Sequence, residues 1–257
     1  MKKEKLATKA TIIGNYVVQK YQTVENYFTT GSFGVKFYPL LMYPCVRHTQ
    51  STVIKLLAVL SVFIGLYFFF AELIAILFTT EGLKLYAEHT LFELAQPIGS
   101  VFDDYTVISS PLSFAVRASF LVQGYCFAII YFIAVMRITH NIKLLAGIAA
   151  LCVTFGTSLI YSAQGGNYTL GGLQNLGMDI TFLIGNLVMI LTGFGLKSEQ
   201  YPTFKWFCIL VGLGGAAAIS VALFMPTPYL AILQRVSWYS LLIWEIAVGF
   251  AILKQVK

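Results

Sequence analysis

Glu72, Arg117, Gln123, Asp179, Asn186, Arg235 and Glu245 lie inside stretches of sequence that are otherwise strongly apolar. An ionisable side chain in such a setting is costly unless it has a partner or opens onto a watery cavity. Glu72, Arg117, Asp179 and Arg235 fall at similar depth, and two acids and two bases sum to zero. A guanidinium matches the geometry of a phosphate or carboxylate, so Arg117 and Arg235 could hold an anionic group. Glu245 has no basic residue at its own depth, which makes it protonated, hydrogen-bonded or functional, with a proton-coupled role among the options.

Spacing sharpens the pattern. Arg235, Trp238, Leu242, Glu245 and Gly249 follow steps of three and four residues, as do Asp179, Phe182, Asn186, Met189 and Gly193. Such positions share one face of a helix. Arg235 and Asp179 are then expected to pair near one surface, with Glu245 and Asn186 deeper and Gln123 as further polar support. Two readings follow. The polar groups are structural pairs that fix helix register, or they line an outward-facing cavity for a ligand with a polar head and an apolar body, such as a lipid.

The elements that carry these residues are set by composition. Of the 257 residues, 58% are hydrophobic and 11% charged, against roughly 25% charged in a soluble domain. That much apolar surface requires lipid as solvent. Apolar runs near 55–79, 112–136, 143–163, 178–196, 204–225 and 229–253 are each long enough for a core of about 30 Å at a rise of about 1.5 Å per residue. They do not alternate as barrel strands would, and backbone groups in lipid must bond within their own segment. The expected fold is all-α, a polytopic bundle of about six transmembrane helices. By the same rise, Glu72 lies about 10 Å, Arg117 roughly 7 Å and Arg235 roughly 9 Å inside the outer ends of their spans, and Asp179 opens the fourth.

The net charge of +6 follows membrane topology rather than a nucleic-acid partner. With the N-terminus inside, only Lys84, Arg117 and Arg235 of the 17 basic residues fall on the outer side. This asymmetry places both termini of a multi-pass protein on the cytoplasmic side of its membrane. Residues 1–53 form a polar and aromatic cytoplasmic extension, broken by Gly31, Gly34, Pro39 and Pro44, and Phe37 to Tyr43 could lie in the interface. Residues 54–257 form the membrane domain, with its longest outer connection at 80–111. There Leu83, Leu85, Leu91, Phe92 and Leu94 indicate a short helix lying on the bundle, as a cap or a connector. The glycine-rich loop at 164–172 reads as flexible.

No catalytic constellation, metal site or cofactor site is visible. Cys45, Cys126, Cys152 and Cys208 form no C-x-x-C pair, and the last three sit in apolar spans as small hydrophobes. His48, His89 and His140 lie in tails or loops, which argues against haem held between helices. There is no H-E-x-x-H, G-x-S-x-G or P-loop, and no internal repeat of the kind found in many transporters. Small residues at Gly147, Ala150 and Gly156, and from Gly212 to Ala218, favour close helix packing.

Ser109-Ser110-Pro111-Leu112-Ser113, Leu176-Gly177-Met178-Asp179, Ile184-Gly185-Asn186-Leu187, Gln234-Arg235-Val236-Ser237-Trp238-Tyr239 and Ile243-Trp244-Glu245 together resemble the six-span bacterial membrane proteins of domain of unknown function family 998. The resemblance covers about 54–253 and implies a six-helix fold and a bacterial plasma membrane. Members often carry a histidine ahead of the fourth span; Gln174 and Asn175 occupy that stretch here, so no role of that histidine carries over. The expectation is a non-enzymatic membrane protein that binds or moves a lipid-like or amphipathic ligand at the outer leaflet. The alternative is an accessory or scaffold subunit of a larger membrane complex, docking a membrane-protein partner through residues 1–53.

Overall fold

A computed structural model describes residues 44–102, 105–106, 110–139, 142–162, 167–168, 172–196, 201–225 and 227–255, with short pieces between 15 and 36. The chain divides into two units, Met1–Val53 and Ile54–Lys257. In the first, the described residues include helical turns with Tyr16, Tyr27 and Val35 exposed. The stretch from Phe37 to Tyr43, expected at the interface, lies outside the described residues.

The second unit is a helical membrane bundle. Six helices are long and apolar enough to cross a bilayer: Ser51–Leu77, Ser113–Val135, Lys143–Tyr161, Gly172–Gly195, Pro202–Phe224 and Leu230–Lys254. They are called the first to sixth spans below. Their outward faces carry large apolar side chains, among them Phe63, Phe70, Leu145, Phe155, Leu210 and Phe250. On a soluble protein such faces would be a liability; in lipid they are the solvated surface. The second span ends in a π-helical turn, Tyr131–Val135. Pro202 opens the fifth, where its missing N–H has no intrahelical partner to lose.

The fourth span begins at Gly172, six residues before the position expected from hydropathy. Gln174 and Asn175 read as loop, yet the helix runs through them and Gln174 is buried. Asp179 therefore does not open this span but stands in its second or third turn. Gly172 itself has φ of 56°, the left-handed region that favours glycine at a chain reversal.

The sixth span is central. It packs on the fourth and fifth, and at Gly249 it approaches the first so closely that an added Cβ would stand 2.6 Å from the Ala58 carbonyl oxygen. Phe68, Phe120, Phe182 and Trp238, from the first, second, fourth and sixth spans, interlock at its middle with ring centroids 4.7–6.4 Å apart.

One end of the bundle is covered by the described residues of the segment at 80–111, namely 80–102, 105–106 and 110–111, here called the cap. Its short helix, Leu91–Ala95, begins at a capping box: Glu93 N–H donates to Thr90 Oγ1 at 3.2 Å, and Thr90 N–H donates to Glu93 Oε2 at 2.7 Å. Leu91, Phe92, Leu94 and Ala95 are buried, and this helix rests on the second, fourth and sixth spans. Three two-residue strands complete the cap end. β1 (Val101–Phe102) pairs antiparallel with β2 (Tyr105–Thr106) and parallel with β3 (Asn167–Tyr168). The glycine-rich loop is thus stitched to the cap at Asn167 and Tyr168, where sequence alone indicated a flexible connection.

Candidate functional site

Sequence spacing predicts that Arg235 faces inward, and it does, at 4% exposure. Its partner differs from the expected one. Nε donates to Glu72 Oε1 at 2.8 Å, and Asp179 is not involved. Depth along separate helices is shared by both acids; direction is not, because Arg235 and Tyr239 turn toward the first span, at Glu72 and Phe69, while Ser237 turns toward the fourth, at Asn186. Nη1 of Arg235 donates to the His89 carbonyl at 2.7 Å, so the cap is tied to the guanidinium by its own backbone. Tyr239, one turn further along the sixth span, donates its hydroxyl to the other Glu72 oxygen at 2.6 Å. The Tyr86 ring lies over the guanidinium at 5.0 Å, a cation–π contact from the cap. Burial, reinforced by the nearby Glu72 carboxylate, pushes the Tyr86 phenol up from its ordinary range, so it stays protonated at neutral pH.

Hydrogen-bonding capacity is left over at this end. Among the described residues, Arg235 Nη2, both amide atoms of Gln96, Gln174 Oε1 and Gln234 Oε1 are buried without a hydrogen-bond partner. They come from the end of the cap helix, the first turn of the fourth span and the first turns of the sixth. Buried polar groups are normally satisfied, and each exception needs a reason.

Deeper in the bundle, Asn186 is nearly saturated. Its Nδ2 donates to the Phe182 carbonyl at 2.7 Å and to Ser237 Oγ at 2.9 Å, and its Oδ1 accepts from Ser240 Oγ at 2.7 Å. Gly215 of the fifth span lets this knot form, because a Cβ there would collide with Asn186 Oδ1 and Ser240 Oγ. Glu245 is wholly buried, and its Oε2 accepts from Gln123 Nε2. Ser61 of the first span donates to the Glu245 backbone carbonyl at 2.7 Å. Expected as one deeper polar layer, Asn186 and Glu245 instead serve separate contacts.

Comparison with known protein families, with characterised proteins and with solved structures finds no match. Function is therefore read from the geometry of these side chains.

Arg117 and Asp179 are half-buried near the cap end, outside the Glu72–Arg235 contact. Residues that sequence reasoning passed over are Tyr86, His89, Gln96, Tyr239, Ser237 and Ser240. Tyr239 carried a signal, since it lies four residues after Arg235 on a helix. Gln96 carried none, because it belongs to a loop with no periodicity. On the cap surface, Glu81, Glu88 and His89 bring potential metal-ligating atoms within 4.8 Å of one another. The His89 nitrogens already face Glu81 at 3.3 Å and Glu93 at 3.2 Å, and Glu88 is exposed.

Proposed function

We propose that this is a non-enzymatic protein of a bacterial plasma membrane that binds or moves a lipid-like or amphipathic ligand, with the ligand's polar head held beneath the cap in the outer leaflet. In this reading both termini are cytoplasmic and the cap is outside, in line with the distribution of basic residues. The six-span likeness to domain of unknown function family 998 belongs to the same reading.

The observation that carries it is the set of buried, unmatched polar atoms at the cap end of the bundle: Arg235 Nη2, the Gln96 amide, Gln174 Oε1 and Gln234 Oε1. Together they offer donors and acceptors to a head group carrying at least one oxygen acceptor, such as a phosphate ester or a polyol. Because Glu72 already balances Arg235, the site as built is close to neutral, and the head need not be strongly anionic. The exposed apolar faces below would leave the acyl chains in the bilayer.

A ligand that binds only the folded protein raises its stability in proportion to occupancy. Adding phosphatidylethanolamine or phosphatidylglycerol to the purified protein is expected to raise its unfolding temperature with at least one head group. The charge-balanced Glu72→Gln/Arg235→Gln variant is expected to lose that response. An equal response in both proteins would remove the site from the cap end.

A second reading has its own observation. Tyr16, Tyr27 and Val35 are exposed on the N-terminal unit, as suits a docking element of an accessory subunit. Deleting residues 1–50 separates the two: a scaffold loses its partner, and a ligand binder keeps its ligand.

A further inference from the structure

Glu245 has a different environment from every other acid in the bundle. It lies roughly 22 Å along its helix from Leu230 and about 15 Å from Arg235, by a rise of about 1.5 Å per residue. Its side chain is fully buried. No Lys, Arg or His is ion-paired with it among the described residues. The groups that face it are Gln123 and, within electrostatic reach, Cys126, both of the second span. Ser61 of the first span spends its hydroxyl on the Glu245 backbone. Above lies the aromatic cluster around Trp238.

The hydrogen-bond inventory of the pair is informative. Gln123 Nε2 donates to Glu245 Oε2. Glu245 Oε1 and Gln123 Oε1 are both buried without a partner among the described residues. Both are acceptors when the carboxyl is ionised, and two acceptors cannot satisfy each other. A carboxylic acid is different: it has one O–H donor and keeps a carbonyl acceptor. An acid and a primary amide side by side form a closed ring of two hydrogen bonds, N–H to C=O one way and O–H to C=O the other. One proton on Glu245 Oε1 therefore satisfies both orphaned atoms and removes an uncompensated charge from the bundle centre.

We propose that Glu245 and Gln123 form a proton-binding site inside the membrane domain, with the proton carried on Glu245 Oε1 and shared with the Gln123 carbonyl. The site joins the second span to the sixth. Release of the proton breaks one of the two bonds of the ring and leaves a carboxylate facing an amide oxygen, so proton release loosens this junction. The site is separate from the cap-end ligand reading and does not depend on it.

Infrared difference spectroscopy of the purified protein in lipid tests this. Wild type at neutral pH is expected to show a protonated-carboxyl C=O band that is lost in Glu245→Gln, with a downshift on transfer to D2O because the proton exchanges. Gln123→Asn, which leaves Glu245 in place, is expected to keep the band but move it, since the hydrogen bond to the amide is lengthened or lost. This second variant keeps the test decisive if Glu245→Gln folds poorly. Loss of only carboxylate bands in Glu245→Gln, or an acid band that ignores both D2O and Gln123→Asn, would overturn the proposal.

Discussion

Glu72 and Glu245 are both fully buried glutamates on neighbouring helices of one bundle, and the protein treats them in opposite ways. Glu72 meets a guanidinium and a phenol, and the cap closes over the set through the His89 carbonyl and the Tyr86 ring. Among the described residues, Glu245 meets an amide and no cation. The difference teaches how a membrane bundle accommodates acids. Near an end, where a loop can reach over, charge is matched by charge. At the centre, where no described basic side chain pairs with the acid, a neutral partner stands beside it.

The sharpest way to break this contrast is to neutralise one acid at a time. Glu72→Gln leaves the Arg235 guanidinium buried without its counter-charge, a change that costs about 3–5 kcal/mol. Denaturant unfolding in micelles should record it, and Glu72→Gln/Arg235→Gln should recover most of the loss. Gly215→Ala probes the saturated knot between the two acids. Its methyl would push on Asn186 and Ser240, and overpacking of this kind costs about 1–3 kcal/mol in the same assay. Tyr86→Leu keeps an apolar side chain on the cap but removes the ring over Arg235; a loss of about 0.5–2 kcal/mol is expected, with faster proteolysis of the cap. The smallest effect belongs to Glu245→Gln. An amide replaces a carboxyl of the same shape, and the change should stay under about 1 kcal/mol, the scale of one neutral hydrogen bond. A loss as large as that of Glu72→Gln would show that Glu245 is ionised and balanced by a cation, and that the contrast is false.

Much of this was legible in the sequence, for reasons that can be named. Hydropathy and length locate six spans, because lipid imposes both. Steps of three and four residues orient Arg235, Trp238, Leu242 and Glu245 correctly, and all four are buried. The partner of Arg235 was not legible. Periodicity yields the face of a helix and hydropathy yields depth, but neither says which helices touch, so Asp179 and Glu72 were equivalent on paper. The start of the fourth span was blurred because Gln174 and Asn175 look like loop. For Gln174 that polarity goes with burial at the cap end of the helix rather than with exposure to water. The cap helix itself was readable from Leu91, Phe92 and Leu94, while Leu83 and Leu85, grouped with them by sequence, lie outside it and Leu83 is exposed; the cap's hold on Arg235 runs through a backbone carbonyl, which no side-chain pattern reveals.

The central claim is that the unmatched polar atoms under the cap hold the head of an amphipathic ligand. Native mass spectrometry of the protein released gently from its own membrane tests it most directly, with wild type beside a Gln96→Leu/Gln234→Leu variant. If the reading is right, wild type carries a defined amphipathic adduct and the folded variant does not. If wild type is bare, or if the variant keeps the same adduct, the amides are only poorly satisfied packing, and the cap covers no ligand site.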